Sequence, residues 1–173
     1  FFSLIISFSS FANFDYHFGD KHLKDLFVNY NSLEGTKGCK DSHGFELNYL
    51  PFKRYHRTTS IRTGILKTKS AVVKGNIMYL EGLGDSMMNH AKLFKSLNKE
   101  GYNIIAFDYT GQGCSSGTMN HTTIDNIIKL SKKVWECYVK SDEKINLIGW
   151  STGGLAAYKF AKDYPREVNS IAL

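Results

Sequence analysis

The sequence predicts an α/β fold in which a mostly parallel sheet follows an antiparallel strand pair. Two observations carry this expectation. Short, nearly uninterrupted apolar runs at residues 76–80, 102–107 and 144–148 alternate with stretches of helical periodicity. Strand, helix, strand in repetition is the order that right-handed crossovers turn into a parallel sheet buried on both faces. Upstream, residues 45–50 and, more loosely, 60–67 alternate apolar and polar positions, which suits an antiparallel pair with one wet face.

The elements follow in order. Asn76-Ile77-Met78-Tyr79-Leu80 reads as a buried strand running into the loop Glu81-Gly82-Leu83-Gly84-Asp85. From Met87 to Lys99 the residues Met87, Met88, Ala91, Phe94 and Leu97 recur at helical spacing, and Gly101 stands where a C-terminal cap belongs. Residues 102–107 form the next strand, ending at Asp108, and residues 109–117 a loop rich in Gly and Ser. A helix is expected from about Thr123 to Val139, with a broad stripe of Ile124, Ile127, Ile128, Leu130, Val134, Trp135 and Tyr138. A strand at 144–148, a helix at 152–163 and a strand opening at Val168 complete the pattern, so the expected sheet runs to the strand that follows that helix.

The 173 residues, 42% of them hydrophobic and 14% aromatic, suffice for one sizeable core. The net charge of +6 is scattered, with no basic run interleaved with aromatics, which excludes specific nucleic-acid binding and leaves a mildly basic surface compatible with peripheral lipid contact. Cys39, Cys114 and Cys137 have neither CxxC spacing nor a nearby His pair, so no zinc or redox site is expected. At most one disulfide is possible, and free thiols are the preferred reading.

Phe1 to Ala12 (FFSLIISFSSFA) is apolar and Ser-rich, like the h-region of a secretory signal lacking its basic n-region, and too short to span a bilayer as a helix. The rival reading is an N-terminal strand or helix of the fold. Residues 1–20 are therefore a signal remnant or N-terminal extension, implying export in the first case and a cytoplasmic protein otherwise; the domain proper is placed at 41–173.

Gly149-Trp150-Ser151-Thr152-Gly153 matches G-x-S-x-G. The bare pattern is weak, but here it follows an expected buried strand and opens an expected helix, the context a nucleophile elbow requires. The flanking glycines, Gly149 and Gly153, let strand and helix approach, and the helix N-terminus faces developing negative charge. Ser151 is the candidate nucleophile. The candidate oxyanion-hole donors are the backbone N–H groups of Thr152, after the nucleophile, and Leu83, in the loop opened by Gly82.

Three blocks in order, Tyr79 to Ser86, Gly101 to Gly117 and Gly149 to Gly153, resemble the N-terminal part of an α/β-hydrolase of the monoglyceride lipase, lysophospholipase and serine aminopeptidase type. The middle block is similar to the family's D-x-R-G-x-G-x-S loop, with Thr110 at the usual Arg; Asp108 is then implied to anchor that loop. Glu81 stands where the family has His. The resemblance implies a cofactor-free serine hydrolase that attacks small acyl esters, monoacylglycerol- or lysophospholipid-like, through an acyl-enzyme. Thioesterases and peptidases use the same elbow. The family's acid and histidine follow the nucleophile by a strand or more, beyond Leu173; His90 and His121 read as surface residues instead. The chain by itself is then expected to be an inactive fragment or binding module, poorly soluble through its apolar sheet edge.

Overall fold

β1 (Glu46–Arg54) and β2 (Arg57–Leu66) pair antiparallel, with Glu46 opposite Ile65 and Arg54 opposite Arg57. The computed structural model describes Cys39, residues 41–54 and residues 57–173. The signal-like stretch at residues 1–20 lies outside them. β1 runs further than the alternation suggested, straight through Pro51. Its place at the sheet edge explains the tolerance, since an edge strand can spare one ladder N–H.

β2 turns the sheet over to the parallel strands by pairing antiparallel with β4 (Tyr102–Phe107). β3 (Gly75–Leu80), β4, β5 (Ile145–Gly149) and β6 (Val168–Ala172) run parallel, in the spatial order β1-β2-β4-β3-β5-β6. The expected fold class is therefore the observed one. Among the described residues no helix is long and apolar enough to cross a membrane.

Among the described residues three α-helices cover the sheet: α1 (Ala91–Lys99), α2 (Ile124–Tyr138) and α3 (Thr152–Asp163). Their sides follow from handedness. The crossover from β3 to β4 moves one way along the sheet, whereas those from β4 to β5 and β5 to β6 move the other way, so right-handed connections put α1 on one face and α2 with α3 on the opposite one. Strand side chains alternate to match. Ile77, Tyr79, Ile104 and Ala106 pack with Phe94 of α1, while Met78, Leu80, Ile105, Phe107 and Leu147 pack with Ile127, Val134, Ala156 and Phe160.

The helix expected from Met87 begins as a 3-10 turn at Met87–His90 and becomes α-helical only at Ala91. Side chains hold that first turn: Met87 N–H donates to Asp108 Oδ1 at 2.9 Å, and His90 Nε2 lies 2.5 Å from Asp85 Oδ2. α2 opens where expected, capped by Thr123, whose hydroxyl accepts from Asn126 N–H.

The expectation of free thiols is wrong for two of the three cysteines. Cys39 and Cys114 form a disulfide, with Cα atoms 5.7 Å apart, and only Cys137 is free, exposed on α2. No spacing rule announces the bridge because its partners stand 75 residues apart and meet only when the loop after β4 is folded.

Candidate active site

β3 and β5 are neighbours whose outgoing connections leave in opposite directions, one to β4 and the other to β6. In an open α/β sheet such a reversal opens a crevice beyond the carboxyl ends of the two strands. The loops that border it here are residues 81–86 and the turn at Trp150 and Ser151.

The turn is abrupt. Leu80 faces Gly149 in the ladder, Trp150 N–H extends it by one bond to Leu80 O at 3.0 Å, and α3 begins two residues later. Ser151 bridges strand and helix with φ 54° and ψ −118°, a conformation that strains any residue bearing a Cβ. Its side chain is exposed and caps nothing, although it occupies the helix N-cap. Glycine is required beside it: a Cβ on Gly153 would fall on the Leu80 carbonyl, and one on Gly149 on the backbone of Gly153 and Gly154. The amino end of α3 therefore presses directly against β3. Its dipole points positive potential at Ser151.

The loop after β3 passes beside this turn. A Cβ on Gly82 would lie 3.2 Å from Trp150 Cδ1 and 3.6 Å from Ser151 Cβ. Neither the Leu83 N–H nor the Thr152 N–H has a backbone acceptor among the described residues, whereas the Gly84 N–H is taken by Gln112 Oε1 at 2.8 Å.

Beneath the loop lies a polar layer, buried except at the half-buried Ser86. The Asp108 carboxylate receives Arg62 Nε at 2.8 Å, Cys114 N–H at 2.7 Å, Met87 N–H at 2.9 Å and the Ser86 hydroxyl at 3.1 Å. Arg62 comes from β2, so Asp108 draws its guanidinium from another strand, while Thr110 uses only its carbonyl, accepting from the Thr122 hydroxyl. Gly113, at φ +50°, packs so closely on the Asp108 carboxylate that a Cβ there would collide with it. Ser115 and Ser116 tie the same loop to β2, accepting from Arg62 N–H and Ser60 N–H.

Glu81 is 0% exposed. Its Oε1 accepts from Tyr109 N–H at 3.1 Å and Gln112 Nε2 at 2.9 Å, and its Oε2 has no partner. Burial, and then the charge of Asp108, push its carboxyl well above the usual range against those two hydrogen bonds. Burial and Glu81 likewise raise the Tyr109 phenol. Arg62, Glu81 and Gln112 are the buried residues here that no local pattern singles out as a group. Arg62 and Glu81 do carry one available signal, ionisable side chains in or directly after strands that bury their neighbours.

The two upstream histidines are committed locally. His90 bonds Asp85 and lies tilted against Tyr79 with ring centroids 4.7 Å apart; burial works against the Asp85 carboxylate, yet hydrogen bonds from His90, Asn89 and Ser86 N–H bring it below its ordinary value. His121 sits in the 3-10 turn Met119–His121, 3.4 Å from the Thr118 hydroxyl. No group of three or more metal-ligating side chains forms among the described residues.

Residues 75–173, more than half of the chain, match the model of the alpha/beta hydrolase fold family. A proline iminopeptidase of the fungus Pestalotiopsis fici is 30% identical over 95 residues, 52% of this chain and 32% of that protein. Among solved structures, a probable hydrolytic enzyme of Pseudomonas aeruginosa superposes with a TM-score of 0.63 at 20% identity, over 73% of this chain and 40% of that one. A monoacylglycerol lipase of Paleococcus ferrophilus does so with a TM-score of 0.58 at 27% identity, over 64% and 41%. The chain thus spans about a third of the curated relative and two fifths of these two structures.

Proposed function

Because the chain belongs to the alpha/beta hydrolase fold family, we propose that it is the nucleophile-bearing part of a serine hydrolase that cleaves carboxylic esters through an acyl-enzyme on Ser151. The observation that carries this reading is the strained, exposed Ser151 between β5 and α3, at the crevice where the sheet reverses its connections. A hydroxyl so placed meets an acyl carbon from the open side, while the Thr152 and Leu83 N–H groups receive the carbonyl oxygen as it gains charge. No cofactor or metal enters the reaction. A histidine base and a carboxylate are drawn, in this reading, from sequence C-terminal to Leu173.

The substrate class proposed is a monoacylglycerol- or lysophospholipid-like ester, supported by the 27% identity to a monoacylglycerol lipase and by a basic surface suited to anionic lipid. Export from the reducing cytosol is part of the same proposal, supported by the Cys39–Cys114 bridge. A peptidase reading rests on the similarity to the proline iminopeptidase. Both are tested on the intact protein with a fluorophosphonate probe, p-nitrophenyl esters and aminoacyl p-nitroanilides. The probe is expected to label wild type and not Ser151→Ala, and ester turnover is expected to exceed anilide turnover. Anilide preference would favour the peptidase, and an unlabelled wild type would refute any serine mechanism.

A further inference from the structure

We infer that Glu81 and Gln112 form a lock that fixes the loop of residues 82–84, making both positioning residues for the Leu83 N–H. The inference rests on the serine-hydrolase reading above and extends it. Three contacts converge on the side-chain amide of Gln112, a residue 0% exposed. Nε2 donates to Glu81 Oε1 at 2.9 Å and reaches Gly82 O at 3.3 Å, and Oε1 accepts from Gly84 N–H at 2.8 Å. Its own backbone is fixed by a bond from Gln112 N–H to Tyr109 O at 2.9 Å. One planar amide therefore grips the loop on both sides of Leu83, at the carbonyl before it and the N–H after it. Leu83 N–H is left without a backbone acceptor, beside a turn whose Ser151 Cβ lies within 3.6 Å of a Cβ placed on Gly82.

Glu81 sets the amide's orientation. An amide can be flipped, exchanging its donor and acceptor ends, and the flipped form would place Nε2 against Gly84 N–H and a carbonyl oxygen against Gly82 O. Glu81 Oε1, already held by Tyr109 N–H, calls for a donor and so selects the productive face. A residue that supplies no hydrogen bond at position 81 or 112 frees the loop to rotate, and an oxyanion donor serves only where its geometry is held for the transition state.

The test compares kcat and KM for an ester substrate in the intact protein and its variants. Gln112→Met and Glu81→Met, apolar and of similar length, are each expected to lower kcat by about tenfold or more, a part of what removing an oxyanion donor costs. KM should stay within about threefold, since the donor acts on charge present only in the transition state. Because both residues act through one loop, the double variant should fall little below the worse single. Glu81→Gln, which keeps a carbonyl acceptor, should recover most of what Glu81→Met loses. Should a Met variant not fold, amide exchange at Gly84 in Glu81→Gln and wild type serves instead, with equal protection expected. An unaltered kcat in Gln112→Met, a rise confined to KM, multiplicative losses in the double variant, or a Glu81→Gln as impaired as Glu81→Met would overturn the lock. Wild type that labels at Ser151 while Gln112→Met is unaltered removes the lock alone; wild type that does not label removes both.

Discussion

Glu81 is a carboxyl group that folding strips of water and places near Asp108. An unfolded glutamate titrates at about pH 4.3. Above that pH the unfolded chain sheds a proton that the native chain retains, so this residue's contribution to stability falls as pH rises toward its elevated native value. The slope is at most about 1.4 kcal/mol per pH unit. Glu81→Gln, which cannot titrate, is expected to gain stability relative to wild type on going from pH 4 to pH 8. Urea midpoints at several pH values measure this, and a pH-independent difference would contradict it. At this scale the sequence was unevenly legible. The sharp turn at Ser151 between β5 and α3 could be read because five neighbouring residues and their flanking elements define it. Of the buried layer the family resemblance pointed only to Asp108, and the partners could not be read, since Glu81 finds its own 28 and 31 residues away and Asp108 finds Arg62 at a separation of 46.

The elbow joins three elements through one glycine. With α3 seated on the Leu80 carbonyl, Gly153→Ala must push the helix off β3 or break the bond from Trp150 N–H to Leu80 O. Forced overpacking of this kind costs about 1–3 kcal/mol or more. The variant is therefore expected to unfold at lower temperature and to lose fluorophosphonate labelling, as thermal melts and gel fluorescence will record; an unchanged melt with full labelling would argue that α3 is not so tightly seated. Element identities were legible because each strand or helix carries its own period, and boundaries less so. β1 extends through Pro51 because it is an edge strand, and the first turn of the helix before β4 is 3-10 because Asp85 and Asp108 hold it from outside. Neither cause is written in the residues that shift.

Across the whole molecule, the strand–helix alternation already implied a parallel sheet, and handedness then fixes which face each helix covers. The disulfide belongs to a different category, a contact between the segment preceding β1 and the loop following β4. Closing a loop of 75 residues removes denatured-state entropy equivalent to about 4 kcal/mol. Cys39→Ser is accordingly expected to lower the unfolding free energy by about 2–4 kcal/mol, read from denaturant titrations under non-reducing conditions. A loss below about 0.5 kcal/mol, within the range of a neutral surface change, would mean that residue 39 is tied down by other contacts. The bridge also bears on how the chain is made. A ribosome adds about 5–20 residues per second, so Cys39 emerges several seconds before Cys114 and stays a lone thiol until β4 and its loop have followed. Its oxidation marks the moment at which the loop anchored on Asp108 has come into place. A shift in mobility on a non-reducing gel during synthesis would therefore act as a clock for assembly of the ground beneath Ser151.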